Sequence, residues 1–319
     1  MIDLHCDTLL RCWLNSDYSL RENAGQLDLL RLRRGGVTAQ CFAIFVPSHE
    51  NAAAKGIRIT PWAFYKDCLE LYRRELVANG DVLAPALTAA DLEKNRKDGK
   101  ISAILTVEDC VGLDGKIERV EELHRDGVRM AALTWNYENS LGYPNSTNSE
   151  LHSRGLKDFG LQVLEKMNHL GIVVDVSHLS EGGFRDVLRH SRKPFAASHS
   201  CALSLCQHSR NLSDEQLKAM GERGCVVGVN FNSVFLRPES SSTRTEDVLR
   251  HVEHVINTAG VDAVALGSDF DGISCELEFV DCSGMVLLRD ALIGRFGYET
   301  AEKIYRLNVQ RLFREVIGR

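Results

Sequence analysis

The first ten residues, MIDLHCDTLL, set a histidine and an aspartate two apart, at His5 and Asp7, directly behind an apolar start. Alternate side chains of an extended strand share a face, so both point one way and Cys6 points the other, into packing. Imidazole and carboxylate together are donors for a divalent cation. Other apolar runs end the same way: Glu108 follows ISAILTV, His178 follows IVVDVS, His199 follows PFAAS, and Asp269 and Asp271 stand at the end of VDAVALGSDFD. Two neutral imidazoles and a carboxylate suit a catalytic zinc ion with one position left for water. Glu108 is placed to bridge a second ion. With Asp7 and Asp269 the acids suffice for two cations roughly 3.5–4 Å apart.

Each residue alone has a blander reading. A single buried histidine is more often a hydrogen-bonded core residue, and a strand-end carboxylate such as Asp109 is often a helix N-cap. The joint pattern of three histidines and three acids, all at the ends of apolar runs, is what points to metal. His124, His169, His190, His251 and His254 fall in helical stretches and are expected to face solvent; His49, His152 and His208 fall in loops.

Eight apolar runs must carry these residues: 2–5, 37–46, 101–107, 129–135, 172–177, 194–198, 225–231 and 261–269. They are continuous rather than alternating, as strands covered on both faces are. Helical patterns separate them. In 156–170 Leu156, Phe159, Val163, Leu164, Met167 and Leu170 share a face, and Gly171 is a stop. Ser213 and Gln216 have capping-box spacing. Residues 61–79, 116–126, 181–191, 245–259, 284–296 and 298–317 also read as helix, and 47–60, 136–154 and 271–283 as long loops. Eight strands alternating with helices predict a (β/α)8 TIM-type barrel, one domain over 1–319, with its site at the C-terminal ends of the strands. A doubly wound open sheet is the alternative, but no glycine-rich phosphate loop follows a strand.

The bulk composition agrees with an enzyme of small molecules. The formal net charge is −6 and no basic stripe occurs, which argues against nucleic acid. No segment approaches the roughly 20 apolar residues of a membrane span, and no leader pattern opens the chain, so a cytoplasmic protein is expected. The ten cysteines are dispersed without a CxxC pair and are expected as free, buried thiols.

At these residues the sequence resembles the membrane (renal-type) dipeptidase family of zinc metallopeptidases. The likeness rests on IDLHCDTL, ILTVEDC, VVDVSHLS, PFAASHSCA, the SRNLSD that follows, and GSDFDG, in the family's order from residue 2 to 272, with Asn308 in the C-terminal helix. The resemblance implies two Zn2+ ions, His5 and Asp7 on one, His178 and His199 on the other, and Glu108 on both. Mixed nitrogen and oxygen donors also accept Mn2+ or Co2+. It implies further that Asp269 is the catalytic carboxylate and that Arg210 grips the carboxylate of a dipeptide, with a homodimer as the assembly. Two departures stand out. Trp135 occupies the place of a carbonyl-polarising histidine, leaving Asn136 and Tyr137 as neighbours for the substrate, and the bridging glutamate is followed by Asp109 and Cys110 instead of glycines.

The expected reaction is hydrolysis of dipeptides, including those with a C-terminal D-residue, by a metal-bridging hydroxide, with Asp269 as general base and then acid. The rivals are another amide hydrolase on the same scaffold, acting on N-acyl amino acids, cyclic amides or β-lactams, and a metal-binding barrel without activity.

Overall fold

A computed structural model describes residues 1–54 and 56–318, with only the backbone of His49 and Ala54. Eight parallel strands close into a barrel: β1 Ile2–Asp3, β2 Ala39–Phe45, β3 Ile101–Glu108, β4 Val128–Ala132, β5 Val173–Asp175, β6 Ala196–Ala197, β7 Val226–Val229 and β8 Val264–Leu266. Each pairs with the next, and β8 returns to β1 with Leu266 opposite Asp3. These are the eight runs expected from sequence. An additional strand, Leu83–Pro85, lies against the start of β3.

Inner and outer faces each bury a hydrophobic layer. Ile2, Leu4, Cys41, Ile104, Met130 and Val173 fill the barrel's lower interior, where Leu312 and Phe313 of the C-terminal helix plug it from below. Truncating Phe313 to alanine would cost about 3–5 kcal/mol, as for other buried aromatics. A larger layer, with Phe42, Ile44, Leu105, Val174 and Val227, packs the strands against the surrounding helices. The C-terminal stretch is helical as expected, but in three parts, with a wider π turn over Lys303–Leu307 between Tyr298–Glu302 and Asn308–Val316. Asn308 Nδ2 donates to Val261 and Val264 carbonyls and so ties this helix under β8.

The expected helix signals operate as read. Gly171 ends helix Asp158–Leu170 at φ 79°, and Ser213 and Gln216 form a reciprocal capping box. The loops after β2 and β4 each hold a short helix, His49–Ala54 and Ser149–Ser153, and the loop after β8 a two-residue strand, Glu276–Leu277. Helices Thr8–Leu14, Leu29–Arg34 and Ala89–Lys97 had no clear pattern in the sequence; the last buries only Leu92 and Asn95. One expectation is corrected. His251 does not face solvent: it is buried, with Nδ1 accepting from Ala202 N and Nε2 donating to the Leu236 carbonyl. All ten cysteines are free, nine of them buried.

Candidate metal centre

The strand ends deliver the polar residues to one point. Just past β1 the alternation slips: Leu4 lies in the inner layer and Cys6 in the outer one, and His5 and Asp7 share one side, within reach of Asp269. His5 Nε2 lies 3.6 Å from Asp7 Oδ2, 3.5 Å from Glu108 Oε2 and 3.9 Å from Asp269 Oδ1. Glu108 turns its other oxygen, Oε1, to His178 Nε2 at 3.0 Å and His199 Nε2 at 3.5 Å. One carboxylate thus faces both groups. The His5 and His199 rings stack with centroids 3.9 Å apart.

Hydrogen bonds fix the imidazole tautomers. Ser198 Oγ gives its one proton to Asp175 Oδ2, so toward His199 Nδ1 at 2.7 Å it can only accept. His199 Nδ1 therefore carries the ring proton and Nε2 a lone pair. His178 Nδ1 donates to Asn136 Oδ1 at 2.8 Å, which leaves Nε2 as a lone pair there as well. The two lone pairs face each other at 3.0 Å. That contact is repulsive unless a cation stands between them. Buried His5 Nε2 and Asp7 Oδ1 also lack a hydrogen-bond partner among the described residues, an arrangement costing about 1–3 kcal/mol per group in a site with nothing to bind. The donor set, imidazole nitrogen with carboxylate oxygen, fits divalent metal, and His5–Asp7–Asp269 and His5–Glu108–His199 each bring three ligand atoms within 4.8 Å of one another.

The electrostatics are those of an uncompensated cluster. Burial and then Arg210 push His178 down to about 4, and burial holds His199 well below its ordinary range. Burial and the Glu108 charge raise Asp7 to about 6, and burial raises Asp269 to about 7 against the pull of His5. His5 moves up in spite of burial, drawn by Glu108 and Asp7. His178 and His199 are thereby held as the neutral imidazoles that metal ligation requires, whereas His5 is drawn toward its charged form by the facing carboxylates.

Supporting residues sit one step behind. Asp3 accepts from Ser268 N, Ser268 Oγ and Gln40 Nε2, fixing the strand end before Asp269 as Asp175 fixes the one before His199. Gly228 and Gly267 are bare because a Cβ at either would strike the Ser198 carbonyl oxygen, so the peptide leading to His199 lies across both. His178, Asp269 and Asp109 have φ of 67°, 64° and 69°, in the left-handed region that aspartate tolerates better than most residues. Asp109 caps the following turn through Val111 N and also accepts from Asn139 Nδ2. Asn230 Nδ2 donates to Asp269 Oδ2 at 2.9 Å. Sequence reasoning passed over Asp3 and Asp175, although an acid inside an apolar run was the available signal.

A cavity of about 320 Å³ opens above the cluster. Arg210 enters its wall, 7% exposed, with Nη2 on the His199 carbonyl, Nε unpartnered, and Cζ 5.5 Å from the centre of the Phe235 ring. Trp135 forms an apolar wall, edge-on to Phe45 at 4.9 Å. Asn136 lines the cavity but uses its amide oxygen on His178, while Tyr137, 39% exposed, stands outside the lining. Asp271 spends its carboxylate on Thr8 Oγ1 and Gln26 N. His208 lies tilted against Phe235, with ring centroids 4.7 Å apart and planes at 59°, His152 Nδ1 accepts from Ser146 N, and the His49 side chain lies outside the described residues.

Comparison with known proteins identifies the family and the fold. The family model of membrane dipeptidase, peptidase family M19, matches residues 1–317. An uncharacterized dipeptidase of Schizosaccharomyces pombe is 33% identical over 287 residues, covering 86% of this chain and 69% of its own. The crystal structure of a dipeptidase of family M19 superposes with a TM-score of 0.86 at 29% identity, over 100% of this chain and 98% of the other. A metallopeptidase from Rhodobacter sphaeroides, liganded with a phosphinate mimic of the dipeptide L-Ala-D-Ala, gives 0.86 at 28% identity, over 99% and 98%.

Proposed function

Since the chain belongs to the membrane dipeptidase family, peptidase family M19, and is a metallo-dipeptidase, we propose that it is a binuclear zinc enzyme that hydrolyses dipeptides through an activated water. The observation that carries this is the pair of opposed lone pairs on His178 and His199, with Glu108 reaching from them to His5. His5 and Asp7 would hold one ion, His178 and His199 the other, and Glu108 both. Bound there, the ions would supply a nucleophile near neutral pH and polarise the scissile carbonyl.

The remaining work falls to side chains. Asp269, held by Asn230 and standing beside His5, takes the proton of the attacking water and returns it to the leaving amine. Arg210, kept in place by the His199 carbonyl and the Phe235 ring, grips the substrate's free carboxylate through two parallel N–H donors. That grip sets the scissile bond one residue from the chain end and selects dipeptides over proteins. The bound phosphinate of the Rhodobacter sphaeroides relative supports extending the substrates to those with a C-terminal D-residue. No described helix is long and apolar enough to cross a membrane.

The test is a substrate panel of L-Ala-L-Ala, L-Ala-D-Ala, N-acetyl-L-alanine and a carbapenem, before and after chelation, with metal analysis. Metal-dependent turnover of the dipeptides is expected. Turnover confined to the acyl amino acid or the carbapenem would replace the dipeptidase reading.

A further inference from the structure

A second cavity, of about 470 Å³, lies beside the first and shares with it Asn136, His178, Arg210 and Phe235. Its remaining wall is Asn145, Ser146, Thr147, His208 and Ser209. The contrast in charge is sharp. The first cavity is lined by Asp7, Glu108, Asp269 and Asp271, whereas the second has no carboxylate in its lining. Glu150 and Glu181, outside that wall, are each paired with an arginine, Arg154 and Arg185.

Arg210 stands in the shared wall, and its donors can be counted. A guanidinium carries five N–H groups. One is spent on the His199 carbonyl. A bidentate carboxylate takes two, so donors remain for a second acceptor. His208 adds another: its Nδ1 accepts from Arg210 N, which leaves the ring proton on Nε2. Burial and the neighbouring Arg210 hold His208 below its ordinary range, so it is a neutral donor at pH 7.

Resting on the dipeptidase reading, we infer that this second cavity receives the side chain of the substrate's C-terminal residue and favours an acidic one. A carboxylate there meets Arg210 and hydroxyl and amide groups. An ammonium there meets no counter-charge and stands beside a guanidinium.

Thr147 provides a clean test, because it is exposed and its side chain makes no hydrogen bond to the described residues. kcat/KM would be measured for L-Ala-L-Ala, L-Ala-L-Glu, L-Ala-L-Leu and L-Ala-L-Lys on the metal-loaded wild type, Thr147→Asp and Thr147→Lys. In the wild type, the Glu substrate is expected to exceed the Lys substrate by about tenfold or more, roughly one to two charge-assisted contacts. Thr147→Asp should lower the Glu:Lys ratio by about fivefold and Thr147→Lys should raise it as much, the upper range for an exposed charge pair. kcat/KM for L-Ala-L-Ala in each variant serves as the reference to which its Glu and Lys values are normalised. A Glu:Lys ratio near one in the wild type, or a ratio that does not move with the sign at 147, overturns the inference even if L-Ala-L-Ala is hydrolysed well. Absence of turnover on every dipeptide removes the dipeptidase reading instead, and this inference with it.

Discussion

His178 and His199 present unprotonated Nε2 atoms to one another at 3.0 Å, each fixed in that tautomer by a partner on the far side of its ring, Asn136 and Ser198. Across a tetrahedral zinc with bonds of about 2.0–2.1 Å, two nitrogens lie roughly 3.3 Å apart. The protein therefore holds the pair near a coordinating separation at an electrostatic cost. Metal removal should lower stability measurably: a ligand at a hundredfold excess over its Kd contributes about 2.7 kcal/mol. Calorimetry before and after chelation should show the melting temperature fall and recover on zinc addition. A melting temperature indifferent to chelator would remove the metal site.

Asp269 is the acid with a single protein donor, Asn230, and with a carboxylate oxygen turned toward His5. Asp269→Asn preserves shape and the tolerance of φ 64° while removing the carboxylate proposed as the base. Turnover should fall about 10²–10⁴-fold, the usual span for a general acid–base group, with metal content retained by elemental analysis. Wild-type kcat in that variant would strike Asp269 from the mechanism.

Arg210→Ala should raise KM for dipeptides by about a hundredfold, corresponding to the loss of about 3 kcal/mol from a bidentate ionic contact. Arg210→Lys should recover little of it, because an ammonium lacks the planar fork and the Phe235 face that holds it. Steady-state kinetics on L-Ala-L-Ala decides this, and a KM within twofold of wild type in either variant speaks against the clamp.

The barrel also constrains the proposed ligand His199 through its glycines. A methyl at Gly228 or Gly267 would meet the Ser198 carbonyl oxygen, and the backbone there leads directly to His199. Gly267→Ala should cost about 1–3 kcal/mol, as overpacking of a close core does, and should lower metal affinity by displacing His199. Denaturant titration and metal competition would report the two effects separately. An unperturbed metal affinity would mean that the His199 position does not depend on this close approach.

Much of this was legible in the sequence because parallel barrel strands are buried on both faces and so read as unbroken apolar runs, each closed by a polar residue with nowhere to go but the rim. His5, Glu108, His178, His199 and Asp269 stood out for that reason. Asp3 and Asp175 did not, since an acid inside IDLH or IVVDVS looks like an interruption until Ser268 and Ser198 are seen beside it. Asn136 was expected to face substrate, and only the fold turns its amide oxygen onto His178. Ala89–Lys97 escaped notice because a charged helix with two buried residues has almost no periodicity to read.

His251 escaped too, and it leads to a pH prediction. An amphipathic helix shows which face is apolar but not that one imidazole bridges the Ala202 amide and the Leu236 carbonyl, joining the segment after His199 to the one bearing Phe235. The bridge requires the neutral ring, and burial holds His251 down at about 4. Its unfolded-state pKa is near 6.5, so between those values the unfolded chain binds the proton and the folded one does not. Its stabilising contribution is thus complete above about pH 6.5 and is lost progressively as pH falls toward 4. The difference integrates to about 3 kcal/mol. His251→Gln, which can still accept from one amide and donate to one carbonyl, should flatten the fall in unfolding free energy between pH 6.5 and 4.5. Parallel slopes for wild type and variant in denaturant titrations would assign the acid sensitivity to other groups.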